Sequence, residues 1–255
     1  MSCRLIHGAL RRGWRTVLAP AELTIPAGAR VAVIGGNGAG KTTLFLALAG
    51  VLRRRGGRAS IVGPVTRSGD GSAIVSPVRT GAGRAKIGSV VSSRRISFMP
   101  QQPALPPWLR AGELLELYGG TATGHAAVCS ALELQPLLWR RIGSLSGGEV
   151  QAVLLAATVA RAHDVLILDE PFAHLDFRRR LAAIELMRND TVGRLLTLVS
   201  SQNAADVATF CDWYLVLAHG RAVFCGSLDN LLDSAVRPAE HRLPLIERRL
   251  VTLLA

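Results

Sequence analysis

The chain has 255 residues, of which 49% are hydrophobic and 19% charged, so it holds enough apolar side chains for a sizeable core. No apolar run approaches the roughly 18 residues of a membrane-spanning helix, and we expect no secretory signal at the N-terminus. The four cysteines lack C-x-x-C spacing, which is typical of reduced thiols in a cytosolic protein. A net charge of +12 favours anionic partners without choosing among them.

The first predicted elements are strands. Residues 1–28 contain short extended runs, such as Glu22–Ile25, which predict an antiparallel lead-in of two or three strands. Val31–Ile34 is a compact apolar run typical of a buried parallel strand, and Leu44–Ala49 predicts the first turns of a helix.

A glycine-rich loop connects this strand and this helix, and it matches the pattern G-x-x-x-x-G-K-[ST]. Its residues are Gly35, Gly36, Asn37, Gly38, Ala39, Gly40, Lys41, Thr42 and Thr43. Glycines let backbone N–H groups approach phosphate oxygens at the positive end of a helix. Lys41 supplies charge to the β- and γ-phosphates, and the Thr42 hydroxyl can complete a Mg²⁺ shell. The loop therefore predicts binding of a nucleoside triphosphate.

The stretch from residue 53 to residue 95 is rich in Arg, Gly and Ser. Short runs in and next to it predict strands at Ala59–Val62, Ile74–Ser76 and Arg95–Met99. We interpret this stretch as an antiparallel flap with at least one mobile loop. A basic loop that binds phosphate or lipid is the alternative.

The rest of the chain alternates helices and strands. Three helices are predicted first, at Ala111–Tyr118, His125–Leu134 and Gly147–Arg161. They are followed by a buried strand at Val165–Leu168, a helix at Phe177–Met187, a strand at Leu195–Val199, a helix at Ala204–Phe210, and strands at Trp213–Leu217 and Arg221–Cys225. Residues 228–254 predict two further helices.

Two carboxylates, Asp169 and Glu170, end the buried strand Val165–Leu168. In an open α/β sheet, the carboxyl ends of the parallel strands lie at the ligand-binding edge. We expect Asp169 to hold Mg²⁺ and Glu170 to orient or deprotonate the attacking water.

A second glycine-exposed helix start lies in the run Leu145, Ser146, Gly147, Gly148 and Glu149. Ser146 is a natural N-cap, and the glycines expose the first backbone N–H groups of the helix. An ordinary capped helix explains this run locally, yet such a helix start is also an anion site. A chain that already has one phosphate loop needs a reason for a second phosphate-binding element.

Together, residues 35–43, 101, 145–149, 165–170 and 173–176 resemble the nucleotide-binding subunit of ABC transporters. The resemblance covers residues 1–228, approximately, and the run 145–149 resembles the signature sequence of that family. It implies an ATPase that works as a head-to-tail dimer. The phosphate loop of one subunit and the Ser146–Gly148 helix start of the other would close on the same ATP, which explains two phosphate-binding elements in one chain.

The resemblance also implies the fold. We expect an α/β P-loop NTPase core with a mixed or parallel sheet flanked by helices, an antiparallel β subdomain and a short all-helical subdomain. Within a single domain of residues 1–255, the core and the antiparallel β subdomain would occupy residues 1–100 and 163–226. The helical insert with the signature helix would occupy residues 101–162, and a C-terminal helical extension would occupy residues 227–255.

Further site residues follow from the resemblance alone. Gln101 lies at the position of the family's Q-loop glutamine, which touches Mg²⁺ or the attacking water, and Gln102 is the neighbouring alternative. Leu175 and Asp176 lie at the position of the D-loop, although Ala173 replaces a serine that is frequent there.

The resemblance further implies an aromatic residue, upstream of the phosphate loop, that stacks on adenine. Trp14 is our candidate and His7 is the rival. Trp14 could equally be a core residue.

One position departs from the family. A histidine that contacts the γ-phosphate usually follows the strand after the D-loop, and Gln202 occupies that position here; a one-residue slip would put Ser201 there. A glutamine amide can donate to a γ-phosphate oxygen, but it carries no positive charge and relays no proton. We expect ATP binding to survive and hydrolysis to slow, unless Gln202 positions the phosphate well enough.

The resemblance implies ATP and Mg²⁺ as cofactors and an integral-membrane permease as partner. The chain would then lie in the cytoplasm, peripherally on the inner face of the cell membrane, as a homodimer or heterodimer and with a substrate-binding protein as a further possible partner. Pro106–Leu109 is a candidate permease contact, with a tryptophan buried under the insert as the alternative. No nucleic-acid partner is expected, because the basic residues do not interleave with aromatic ones.

Two other functions stay open for this sequence. The first is a hydrolysis-impaired, nucleotide-gated module that is paired with a more active ATPase subunit. The second is a soluble ABC-type ATPase without a permease.

Replacing Gln202 with histidine tests the departure from the family. We expect Gln202→His to raise kcat, because the substitution restores a side chain that can carry charge and relay a proton. Steady-state ATPase assays at saturating ATP measure this effect. Unchanged or lower turnover would mean that the rest of the site already compensates for the glutamine.

Overall fold

The computed structural model describes residues 2–52, 57–62, 95–119, 122–161, 163–189, 195–201, 203–232 and 242–254. The strands are β1 Ser2–His7, β2 Leu10–Arg12, β3 Arg15–Leu18, β4 Ala21–Pro26, β5 Arg30–Gly35, β6 Ala59–Val62, β7 Ile96–Met99, β8 Val165–Asp169, β9 Leu196–Ser200, β10 Trp213–Ala218 and β11 Arg221–Ser227. The helices are α1 Lys41–Leu48, α2 Ala111–Tyr118, α3 Ala122–Ala131, α4 Gly147–Ala160, α5 Phe177–Arg188, α6 Ala204–Ala208, α7 Leu228–Leu231 and α8 Arg242–Leu254.

A six-stranded sheet with the order β11-β10-β5-β9-β8-β7 forms the centre of the fold. Its strands are parallel except β11, which is antiparallel to β10. Parallel register brings the carboxyl ends of β5, β8 and β9 to the same edge, where Asp169 pairs with Ser200. The mixed sheet that the sequence predicted is confirmed.

Antiparallel strands form two further sheets, with the orders β4-β1-β6 and β2-β3. The lead-in therefore has four strands, not two or three, because Gly13, at a positive φ of 61°, turns β2 back into β3 as a separate hairpin.

Of the predicted antiparallel flap, Ala59–Val62 is confirmed as β6, which pairs antiparallel with β1. The assignment of Arg95–Met99 to the flap is wrong, because β7 pairs parallel with β8 at the edge of the central sheet. Most of residues 53–95 lie outside the described part of the chain. The predicted strand Ile74–Ser76 lies outside it entirely.

The two faces of the central sheet bury different cores. Along β5, Val31 and Val33 point into the core that contains α1, while Ala32 and Ile34 point into the core that contains α4. All five residues of β8 are buried, which explains its continuous apolar run. Helix α4 is also buried over most of its length, as its lack of a polar face predicts.

The described helices differ from their predicted bounds mainly at α3. Its helical backbone begins three residues before His125 and ends at Ala131, because Glu133 adopts a left-handed φ of 53° that a helix cannot continue through. The two helices predicted within residues 228–254 are α7 and α8. None of the described helices is long and apolar enough to cross a membrane.

His7 ends the central strand of the β4-β1-β6 sheet, and its burial lowers the pKa of its ring below the usual 6.5. The unfolded chain therefore takes up a proton at a pH where the folded chain does not, so folding stability falls as the pH drops through 6.5 towards the folded-state pKa. Above that window the stability contribution is fully present. We expect His7→Gln to flatten this part of the pH dependence in urea unfolding at pH 7.5 and 5.5. The same loss of stability in both proteins would contradict this assignment.

Candidate functional site

A cavity of about 810 Å³ lies at the carboxyl edge of the central sheet. Its lining includes most of the predicted site: Gly36, Asn37, Gly38, Ala39, Gly40, Lys41, Thr42, Thr43, Gln101, Asp169 and Glu170. It also includes residues that the sequence analysis did not select: Arg12, Arg15, Thr16, Val17, Leu217, Ala218, His219, Gly220 and Leu254. The structure thus brings the phosphate loop, the two carboxylates and Gln101 together in one place.

The glycine-rich loop depends on glycine at two close approaches. A Cβ on Gly35 would lie 2.6 Å from the carbonyl oxygen of Leu217, and a Cβ on Gly40 would lie 2.6 Å from Cγ of Leu18. Gly40 is also the N-cap of α1 and has a φ of 105°. The loop therefore packs against β10 and β3 with no room for side chains at these positions.

Lys41 begins helix α1, and its side chain folds back over the loop. Its Nζ donates hydrogen bonds to the carbonyl oxygens of Gly35 and Gly36, at 2.7 and 3.3 Å. The side chain is buried, and Lys41 lines the cavity together with Thr42 and Thr43. The first turn of α1 therefore presents a positive charge, two hydroxyl residues and a helix N-terminus to the cavity.

The two carboxylate oxygens of Asp169 differ: Oδ1 accepts a hydrogen bond, whereas Oδ2 has no partner among the described residues. Ser200 Oγ donates to Asp169 Oδ1 at 2.7 Å and accepts a hydrogen bond from the amide of Glu170 at 2.9 Å. Asp169 is 1% exposed, and its Oδ2 makes no hydrogen bond within the described part of the chain. A buried carboxylate oxygen is costly unless a cation meets it, so this donor fits a divalent metal such as Mg²⁺.

Glu170 is held by its backbone from two sides. Besides the bond from its amide to Ser200, its carbonyl oxygen accepts a hydrogen bond from Gln151 Nε2 at 2.9 Å. Its φ is 53°, which is rare for a non-glycine residue and typical of functional sites. Sequence reasoning missed Ser200 and Gln151, because the register of β8 with β9 and the packing of α4 bring them here.

The second helix start, Leu145–Glu149, is capped as the sequence predicted but lies outside the cavity. Ser146 Oγ accepts a hydrogen bond from the amide of Glu149 at 3.2 Å, and the amide of Ser146 donates to Glu149 Oε2 at 2.8 Å. This bond from the Ser146 amide lowers the pKa of Glu149, so its carboxylate stays ionised. None of these five described residues lines the cavity.

The loop after Glu170 packs directly on this second helix start. A Cβ on Gly148 would clash with the carbonyl oxygen of His174, whereas a Cβ on Gly147 would meet no described heavy atom within 4 Å. His174 has a left-handed φ of 65°, and Asp176 is the N-cap of α5, accepting a hydrogen bond from the amide of Arg179 at 2.9 Å. Leu175 and Asp176 do not line the cavity of their own chain.

The candidates for adenine stacking are both outside the cavity lining. Trp14 is 96% exposed in the turn of the β2–β3 hairpin, so it is not a core residue, and Arg12 and Arg15 on either side of it do line the cavity. The rival candidate, His7, is buried in β1. The stacking of Trp14 on adenine stays a prediction.

The remaining predicted residues have different placements. Gln101 lines the cavity and Gln102 does not. Gln202 lies outside the described residues. Ser201 is buried, and its Oγ donates to the carbonyl oxygen of Asn203 at 3.0 Å.

A parallel sheet with a glycine-rich strand-to-helix loop and carboxylates on a neighbouring strand end defines a P-loop nucleoside-triphosphate-binding protein. The sequence model of the ABC transporter family matches residues 18–173, which is more than half of the chain. The chain belongs to the ABC transporter family, and its fold is that of the ATP-binding subunits of this family.

Similar proteins include ATP-binding proteins of import systems. The chain is 32% identical to the hemin import ATP-binding protein HmuV of Bordetella pertussis, over 88% of this chain and 85% of that protein. It is 30% identical to the cobalamin import ATP-binding protein BtuD of Halobacterium salinarum, over 85% of this chain but 52% of that protein. The chain thus spans about half the length of the latter relative. A solved ATP-binding subunit of an ABC transporter superimposes with a TM-score of 0.73 at 24% identity, covering 98% of both chains.

The contact between Gly148 and His174 can be tested by matched glycine substitutions. We expect Gly148→Ala to lower the free energy of unfolding by about 1–3 kcal/mol, because the new methyl group clashes with a backbone carbonyl. Gly147→Ala, its neighbour in the same helix turn, should be neutral or slightly stabilising. Urea denaturation without nucleotide measures both variants. Equal effects of the two substitutions would mean that the close approach does not constrain this helix start.

Proposed function

We propose that this chain is the ATP-binding subunit of an ABC transporter, and that it couples Mg-ATP binding and hydrolysis in a head-to-tail dimer to movement of a membrane permease. One observation carries the proposal. The cavity assembles the phosphate loop and both carboxylates, while the second phosphate-binding helix start, Leu145–Glu149, lies outside that cavity. Each ATP would therefore meet the loop of one chain and the helix start of another.

In this proposal the first turn of α1 holds the phosphates. Lys41 Nζ, now bonded to two loop carbonyls, would turn to the β- and γ-phosphate oxygens, and the loop amides would surround them. Thr42, Gln101 and Asp169 Oδ2 are the groups that would hold Mg²⁺. The metal ion, when bound, neutralises negative charge on the β- and γ-phosphates.

Glu170 is the proposed group that orients the attacking water and accepts its proton. Its backbone bonds to Ser200 and Gln151 restrict where its carboxylate can point, so these two residues act as positioning residues. Gln202, which follows Ser201 in the sequence, is proposed to donate its amide N–H to a γ-phosphate oxygen.

The partner chain would complete the site with Ser146, Gly147 and Gly148. Helix α4 begins at Gly147, so its N-terminus can face an anion that is not bound by its own chain. The D-loop, Leu175 and Asp176, would lie between the two sites, since Gly148 packs against the neighbouring His174. A two-fold axis would generate two such sites, in a homodimer or, with a related chain, in a heterodimer.

The helical insert is the proposed contact with the permease. Two segments of the insert are joined by a hydrogen bond, which the amide of Gly143 donates to the carbonyl oxygen of Pro107 at 2.9 Å. Trp108 and Trp139 lie on these two segments and are 68% and 78% exposed. The alternative interpretation of the sequence, in which the tryptophan of Pro106–Leu109 is buried under the insert, is therefore wrong. Exposed tryptophans of this kind suit a protein interface.

The proposed setting follows from this contact. The subunit would lie on the cytoplasmic face of the cell membrane, and a substrate-binding protein could complete the assembly. Both curated relatives described above carry "import" in their names, which supports an importer. We also propose the division of the chain made from the sequence, with core residues 1–100 and 163–226, helical insert 101–162 and C-terminal extension 227–255.

Mixing two disabled chains tests the shared site. Glu170→Gln alone should lower turnover by at least about a hundredfold while ATP still binds, because the water loses its base. Gly147→Glu alone should also lower turnover, because its carboxylate repels the phosphates that the partner binds. Mixed in equal amounts before ATP is added, the two should recover roughly one quarter of wild-type activity, since half of the dimers then carry one intact site.

The activity of the mixture distinguishes a site shared by two chains from a complete site in each chain. Chains that each form a complete site would show no recovery on mixing, and Gly147→Glu alone would then stay active. Wild-type turnover close to zero, with ATP bound, would instead indicate the hydrolysis-impaired module.

A further inference from the structure

The lining of the cavity consists of two groups of residues with different chemistry. Lys41, Thr42, Gln101 and the carboxylates Asp169 and Glu170 belong to the group where phosphates would bind. The rest of the phosphate loop belongs to this group as well. The other lining residues lie on the β2–β3 hairpin, on β10 and the turn after it, and on α8, and the proposed function gives them no phosphate to bind. A nucleotide with its phosphates on the loop would therefore leave its nucleoside to this second group of residues.

Two of the elements that supply the second group are bonded to each other. Gly220 lies in the turn between β10 and β11. Its carbonyl oxygen accepts a hydrogen bond from the amide of Ala19, which follows β3, at 2.8 Å. A Cβ on Gly220 would lie 2.7 Å from the carbonyl oxygen of Val17 on β3. The β2–β3 hairpin and the β10–β11 turn thus form one continuous wall, on which Arg12 and Arg15 are the charged residues that line the cavity.

Helix α8 supplies a further, apolar residue to the lining outside the phosphate loop. Ile246 and Leu250 are buried in the core that contains α4, and the helix packs on β10 and α6. Residues four apart lie on one face of a helix, so Leu254 continues this face by one turn. There it packs partly against the same core and also lines the cavity. Val251, next to Leu250 in the same turn, lies beside this face and is exposed.

We propose that Leu254 contacts the nucleoside of the bound nucleotide, and that the last turn of α8 is thereby part of the nucleotide site. The inference rests on the proposed function and extends it to a helix that lies outside the stretch matched by the family model. A leucine side chain offers apolar surface but no hydrogen bond, so it favours a flat base or a ribose ring without distinguishing one purine from the other. Leu254 therefore contributes to the affinity for the nucleoside and does not affect the binding of the phosphates.

Binding of ADP and of inorganic pyrophosphate, both with Mg²⁺, separates the two groups of lining residues without turnover. Calorimetry on the full chain should show that Leu254→Ser weakens ADP binding by about threefold to tenfold, because apolar contact area is lost. Pyrophosphate binding should not change. Leu254→Met should bind ADP like the wild type, because a thioether side chain of similar volume keeps the contact.

Val251→Ser is the matched control, since it makes the same kind of change at an exposed position in the same helix turn. It should leave the binding of both probes unchanged. Leu254→Ser would overturn the inference if it weakened both probes equally, which indicates a structural effect, or if it weakened neither. A wild-type chain that binds pyrophosphate but not ADP would also overturn it. Failure of the wild-type chain to bind either probe would overturn the proposed function as well.

Discussion

The positions of Asp169 and Glu170 depend on two hydrogen bonds made by the hydroxyl group of Ser200. This hydroxyl donates to Asp169 and accepts from the amide of Glu170, so one side chain of β9 positions two consecutive residues of β8. A slip of one residue between these parallel strands would turn Ser200 to the other face of the sheet and break both bonds. Each bond contributes about 1 kcal/mol net, but leaving the buried Asp169 unpaired would cost more. Strand register therefore determines where the carboxylates can act.

The charges of the site are already in place around the cavity. Lys41 is held by two loop carbonyls, and Asp169 keeps one buried oxygen without a hydrogen bond among the described residues. The negative phosphates of a nucleotide would meet Lys41, and a cation would meet Asp169. Both would do so in a partly enclosed space, where electrostatic interactions are stronger than in bulk water. On binding, Lys41 Nζ would exchange its two loop carbonyls for phosphate oxygens, while Ser200 would keep Asp169 in place for the cation.

The loop between Glu170 and Asp176 connects the two phosphate-binding elements of the chain. At one end, the amide of Ala173 bonds to the carbonyl oxygen of Glu170 at 3.2 Å, and at the other, His174 packs on Gly148. In the proposed dimer, these two ends belong to different ATP sites. A shift of the helix start when the partner's ATP binds would reach Glu170 through a short, tightly packed loop, which gives a physical route for the two sites to sense each other.

The sequence by itself determined the phosphate loop, the strand-end carboxylates and the capped helix start at Ser146, because each depends on local residue types at fixed spacing. It also placed most helices and strands, because their apolar periodicity is a local property. Only the tertiary structure decided that Ser200 and Gln151 hold Glu170, that Arg12 and Arg15 line the cavity while Trp14 does not, and that Leu254 lines it too. These relations join residues that are far apart in the chain, and strand register, the β2–β3 hairpin and the docking of α8 bring them together; no local pattern encodes that.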